Sequence, residues 1–273
     1  MSILLQVEHL TVAYQALAVL RNVNLTLRHG EKVALVGANG SGKSSLLLHL
    51  SGCLTPRAGR ILVEGESCIG QPRRAGRKMG LLFQRQECQL LLPSLREELA
   101  LSLCDSPLDE AARQQQIQQI ATTFGLLPLL DRPPHHLSGG EQQRAALATL
   151  LITHPALLLL DEPSAALDPQ ARRTLIHHLN RLNNALLLAT HDLDLALQTT
   201  QRTLVLCAGR IAAQGETVQI LRDEALLEAY GLTLPLSLQA RLSGDMEEET
   251  LRGGRRGRCG SPALADRGPA NGS

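Results

Sequence analysis

Two hydrophobic periods alternate along this chain. Near its start, stretches such as Leu5–Val7 and Val23–Leu27 place apolar residues at every second position, which predicts half-buried strands of a small antiparallel sheet. Lys32–Val36 is nearly all apolar and enters a glycine-rich loop, and Ser44–Leu50 leaves that loop as an apolar helix. Ile61–Val63, Gly80–Phe83, Leu157–Leu160 and Leu186–Ala189 are further short apolar runs bounded by turn or polar residues. Runs that are apolar on both faces predict the buried strands of a sheet covered by helices.

From about Gln86 to Ile152 the pattern changes. Glu97–Leu103, Glu110–Phe124 and Glu141–Ile152 are rich in Leu, Ala, Gln, Glu and Arg and read as helices, a helical insertion between two core strands. Leu204–Cys207 and Arg210–Ala213 flank Gly209 as a hairpin, and a leucine-rich helix is predicted over Thr217–Tyr230. From Ser243 on, small, charged, Gly and Pro residues dominate. Such a stretch buries too little apolar area to offset chain entropy, so residues 1–242 are expected to form the folded domain and 243–273 a disordered, solvated tail.

Composition narrows the function by exclusion. A formal charge of +1 argues against a nucleic-acid binder that relies on bulk positive charge, and two Tyr, two Phe and no Trp leave little for base stacking. The six cysteines form no CxxC pair and none lies near a His at zinc-finger spacing, which suits free thiols in a reducing cytosol. The N-terminus lacks a basic segment before its short apolar run, and no apolar run approaches the roughly 18 residues that span a bilayer. The chain itself is expected to be soluble.

The strand–loop–helix around GANGSGKS (Gly37–Ser44) is the context that a phosphate loop requires. Gly37, Gly40 and Gly42 allow the backbone to turn its N–H groups around a β-phosphate, and the following helix adds its positive end. Lys43 should reach the β- and γ-phosphate oxygens and the Ser44 hydroxyl should bind Mg²⁺. In LLLLDEP, Asp161 stands at the end of a buried strand, where it would hold Mg²⁺, and Glu162 would polarise the attacking water. LSGGEQQR (Leu137–Arg144) opens a helix with Ser138 and two glycines, offering a hydroxyl and bare N–H groups to a second anion.

With Gln84 in LLFQ and His191 in ATHD, these motifs resemble the nucleotide-binding subunit of an ATP-binding-cassette (ABC) transporter over roughly residues 3 to 240. The resemblance implies an α/β fold of the P-loop NTPase ABC ATPase type, with a RecA-like core sheet, a small antiparallel β-subdomain and an α-helical insertion. It implies ATP and Mg²⁺ as cofactors, bound by Tyr14 on the adenine and by Gly37, Asn39, Gly40, Ser41, Gly42, Lys43, Ser44 and Ser45 on the phosphates. Ser44, Gln84 and Asp161 would serve the metal, and Glu162, His191 and Gln84 the hydrolysis. Ser138, Gly139 and Gly140 would close on ATP held by a second ATPase subunit in a head-to-tail dimer, with Asp168 at the seam. Integral membrane transporter subunits are the implied partners, at the cytoplasmic face of the inner membrane, and nucleic acid is not.

A second glutamine, Gln89, five residues beyond Gln84, and the ending LLEAYGLTLPLSL resemble the ATPases of energy-coupling-factor importers, especially those for cobalt and nickel. Arg85, Gln86, Glu87 and Cys88 depart from the acidic or proline residues usual there, so a vitamin is the competing cargo. A non-transport ABC ATPase would need a long coiled coil, zinc modules or a second cassette, none of which the sequence carries. The pairs His135–His136 and His177–His178 are expected to be surface histidines, since adjacent histidines rarely ligate one ion together.

Overall fold

The computed structural model describes residues 2–15, 17–85 and 88–239. Residues Met1–Pro235 form one compact unit, and of Leu236–Ser273 only a helical turn over 236–239 is described. The expected boundary at 242–243 and the tail beyond it lie outside the described residues.

A six-stranded sheet organises the unit. Its strands are β3 (Lys32–Val36), β6 (Met79–Leu82), β7 (Leu157–Asp161), β8 (Ala185–Thr190), β9 (Arg202–Cys207) and β10 (Arg210–Glu216), in the order β10-β9-β3-β8-β7-β6. All pairings are parallel except the hairpin β9–β10. Every residue of β3, β7 and β8 is buried, as their almost wholly apolar sequences lead one to expect, and the burial extends to Lys32, Asp161 and Thr190 at their ends. Each buried leucine contributes about 1.5–3 kcal/mol relative to exposure, and alternate residues serve opposite layers. Leu157 and Leu159 face a core shared with the strands Ile3–Tyr14, Leu17–Arg28 and Ala58–Val63 and the helix Lys43–Leu50, while Leu158 and Leu160 face the helices between β6 and β7.

The second sheet is antiparallel, with the order β2-β1-β4-β5, from β1 (Ile3–Tyr14), β2 (Leu17–Arg28), β4 (Ala58–Val63) and β5 (Glu66–Ser67). Here one expectation fails. Ile61–Val63 belongs to β4, whose partner is β1 in the register Leu5↔Val63 and Val7↔Ile61, and not to the helix-covered sheet. Ile61 and Val63 are fully buried while Leu62 between them is not, so the run alternates in its burial although not in its composition.

α2 (Pro72–Lys78) leads into β6, and between β6 and β7 lie α3 (Leu95–Ser102), α4 (Glu110–Thr123) and α5 (Gly139–Leu151), two of them starting slightly earlier than expected because of their caps. Ser94 accepts from Glu97 N–H, and Glu141 accepts from the N–H and hydroxyl of Ser138. After β7 come α6 (Pro169–Arg181) and, beyond β8, α7 (Leu193–Thr199). The predicted helix over Thr217–Tyr230 is instead two, α8 (Thr217–Arg222) and α9 (Glu224–Ala229). Asp223 ends the first in an extended conformation and caps the second by accepting from Leu226 N–H at 3.0 Å. The histidine expectation also needs a correction: His178 is half-buried and stacks on Phe124, with ring centroids 4.5 Å apart. Burial holds its imidazole below the ordinary range, helped by the nearby His177, Arg144 and Arg181.

Candidate nucleotide-hydrolysis site

The parallel strands all deliver their C-terminal ends to one edge of the sheet, where open α/β sheets bind ligands. The loop after β3 leads into α1 (Lys43–Leu50), Asp161 and Glu162 follow β7, His191 follows β8 and Gln84 follows β6. A cavity of about 350 Å³ forms there, lined by Asn39, Gly40, Gly42, Lys43, Ser44 and Ser45 from the loop, and by Gln84, Glu162 and His191 from the other strands. Val19 of β2 also lines it, a residue with no sequence signal. The larger cavity of about 830 Å³, around Arg77, Leu103 and His154, contains no motif residue.

The loop is shaped by glycines at two decisive positions. Gly42 has φ +109° and a side chain there would meet Leu20 at 2.8 Å. At Gly37 an added Cβ would lie 2.3 Å from the Leu206 carbonyl oxygen, so the loop is wedged against β9. Gly37→Ala is therefore expected to cost about 1–3 kcal/mol and lower Tm by several degrees, measured by thermal unfolding. Gly40, with φ +79° but no atom within 4 Å of an added Cβ, should cost less when changed to Ala.

α1 has no acidic residue in its first turn and no side-chain cap, leaving its N–H groups open to an anion. Lys43 is buried and donates to the carbonyls of Gly37 (2.7 Å) and Ala38 (3.2 Å). Burial lowers its pKa, and the charges of Glu162, 3.9 Å away, and Asp161 oppose that shift. Asp161 is buried beside it; desolvation raises its carboxyl above the usual range, against a hydrogen bond from Ser44 that lowers it. Its Oδ1 and the Ser41 hydroxyl are buried without a partner, which costs about 1–3 kcal/mol each until something satisfies them.

Glu162 is held on several sides. Its φ is +46°, a strained conformation for a non-glycine residue, costing of order 1–3 kcal/mol. Its carboxylate accepts from the Thr190 hydroxyl at 3.0 Å and from the His191 N–H at 3.0 and 3.2 Å. His191 Nδ1 lies 2.9 Å from the same carboxylate while its ring stays largely exposed. Thr190, fully buried, stands inside ATHD but carries no sequence signal of its own.

The remaining motif residues lie elsewhere. Ser138, Gly139 and Gly140 open α5 but are not among the described residues lining the cavity, and the Ser138 hydroxyl donates to Glu141. The Ser138 N–H, and then its hydroxyl, hold the Glu141 carboxyl below its ordinary range. Asp168, exposed, caps α6 by accepting from Ala171 N–H at 2.7 Å. Tyr14 ends β1 with 45 % exposure, its ring 6.3 Å from that of His49, and does not line the cavity. Gln89 accepts from Phe83 N–H and donates to the Leu81 carbonyl, both at 3.2 Å, pinning the turn that carries Gln84 to the end of β6.

The ABC transporter family profile matches residues 20–165. An ABC transporter ATP-binding protein of Gloeobacter violaceus is 46 % identical over 242 residues, covering 86 % of this chain and 98 % of its own. The nickel import ATP-binding protein NikO of Rhodobacter capsulatus is 40 % identical over 235 residues, covering 81 % and 92 %. The structure of CbiO1 from Clostridium perfringens, part of the ABC transporter complex CbiONQ, superposes with a TM-score of 0.75 at 27 % identity, covering 91 % of this chain and all of its own. Sequence, fold and the gathering of phosphate loop, acidic pair and histidine at one sheet edge agree: the chain belongs to the ABC transporter family, as an ATP-binding subunit that hydrolyses ATP for transport.

Proposed function

We propose that this chain energises an energy-coupling-factor-type importer of cobalt or nickel ions, as a head-to-tail dimer on the cytoplasmic face of the membrane. The observation that carries the hydrolytic part of this reading is the Glu162 carboxylate, buried and held by Thr190 and His191, with Lys43 3.9 Å away. ATP lays its phosphates on the open N–H groups at the start of α1, and Lys43 turns from the carbonyls of Gly37 and Ala38 to the β- and γ-oxygens. The unpartnered Asp161 Oδ1 and the Ser44 hydroxyl are hard oxygen donors suited to Mg²⁺, and Ser44 lines the cavity together with Gln84. When bound, Mg²⁺ neutralises charge developing on the phosphates. Glu162 orients the attacking water and takes its proton, and the exposed His191 ring contacts the γ-phosphate.

Tyr14 offers its exposed ring to adenine, and the exposed Ser138–Gly140 turn closes on the γ-phosphate held by the second subunit, with Asp168 at the seam. Loss of that phosphate reopens the dimer. Phe83 and Leu91, 38 % and 78 % exposed beside Gln84–Gln89, present apolar surface on which a short helix of a membrane partner docks.

The cargo reading rests on Gln89, on LLEAYGLTLPLSL and on the likeness to NikO. Radioactive Ni²⁺ or Co²⁺ uptake should require this subunit and fail with Lys43→Ala. Metal uptake that persists without the subunit, with vitamin uptake lost, would replace the metal by a vitamin.

A further inference from the structure

We propose that Arg172 is a positioning residue for hydrolysis, and that the first turn of α6 transmits the seating of the Ser138–Gly140 segment to Glu162 and His191. This rests on the hydrolytic roles proposed above for those two residues.

An unbroken series of directional hydrogen bonds runs from α6 to Glu162. Arg172 grips Asp192 with a two-pronged fork, Nε to Oδ2 at 2.8 Å and Nη2 to Oδ1 at 2.9 Å. Asp192 also accepts from the Ser164 hydroxyl at 3.2 Å, two residues beyond Glu162, and from Leu195 N–H at 2.8 Å. Burial alone would raise its carboxyl, but Arg172 and these donors together hold it below the ordinary range. The Asp192 N–H then donates to Thr190 Oγ1 at 2.9 Å. Because that oxygen is accepting, its single proton is directed to Glu162 Oε2, 3.0 Å away. His191 sits inside this loop of bonds, its own N–H on Glu162.

The other end of the series reaches the surface meant for the second subunit. An added Cβ on Gly140 would lie 2.9 Å from the Ala171 Cβ, so α5 begins hard against the residue preceding Arg172. Asp168 caps the same turn through Ala171 N–H. A close-packed contact of this kind passes a displacement on rather than absorbing it.

The test uses the purified full-length chain, with steady-state ATP hydrolysis and ATP binding measured separately. Arg172→Gln is expected to lower kcat roughly 10- to 100-fold, the scale of a small misplacement of reacting groups, while ATP affinity changes less than about threefold. Arg172→Lys, which keeps the charge but not the fork, should fall between it and wild type, and it reads the effect if the Gln variant does not fold. Thr190→Val cuts the same series at its far end, so the double variant with Arg172→Gln should be no slower than the slower single one. Arg173→Gln, an exposed neighbour, should leave kcat unchanged. Wild-type kcat in Arg172→Gln while Glu162→Gln is inactive would overturn the proposal alone, as would losses that multiply in the double variant. Turnover retained by Glu162→Gln would instead overturn the role of Glu162, and the proposal with it.

Discussion

Glu162→Gln is expected to bind ATP with near wild-type affinity and to hydrolyse it at least about 100-fold more slowly, accumulating a closed, ATP-bound dimer. The substitution preserves shape and removes one charge and one acceptor. An amide oxygen placed at Oε2 still accepts from Thr190 and from the His191 N–H, so the turn at φ +46° keeps its supports. The amide NH₂ then occupies the Oε1 position, 3.9 Å from Lys43, where neither group accepts a proton from water. Size-exclusion chromatography with ATP, alongside phosphate release, reads both consequences. Near wild-type turnover would show that another group, His191 being the nearest, activates the water.

Lys43→Ala is expected to lose ATP binding by about 10- to 100-fold, because the buried ammonium proposed to turn to the phosphate oxygens is replaced by nothing and Asp161 and Glu162 are left to repel the nucleotide. Ser138→Arg should behave differently. Ser138 is exposed and does not line the chain's own cavity, so each subunit keeps its ATP affinity while dimerisation and hydrolysis fail. Mixing the two inactive variants discriminates further. In a head-to-tail dimer one of the two interfaces then carries neither defect, and part of the activity should return. Complete absence of activity in mixed dimers verified by crosslinking would count against a site shared between subunits.

The strand, glycine loop and helix over Lys32–Leu50 were legible because their determinants are contiguous: an apolar strand, glycines and a helix-opening lysine. Asp161 and Glu162 were legible for the same reason, as the polar end of an all-leucine strand. Legibility failed where local composition is degenerate. Three apolar residues at Ile61–Val63 read alike in either sheet, and only pairing with β1 decides. Asp223 looks like one polar position on a leucine-rich helix until its carboxylate is seen capping a new one. Arg172 and Asp192 are ordinary charged residues in sequence, 20 positions apart, and become a bidentate pair only when α6 and the loop after β8 meet.

What the sequence by itself determined is therefore the set of chemical groups and the family, since each motif is a short local arrangement whose residue types follow from phosphate, metal and helix-end chemistry. The tertiary structure alone decided which of those groups share a cavity. It brought Gln84, Glu162 and His191 to the phosphate loop because parallel strands align their C-terminal ends, and it set Ser138 and Asp168 to cap helices away from that cavity. It also decided how Glu162 is held. Thr190, Asp192 and Arg172 act through distances and proton directions between strand, loop and helix, and such geometry is a property of packing that no linear pattern records.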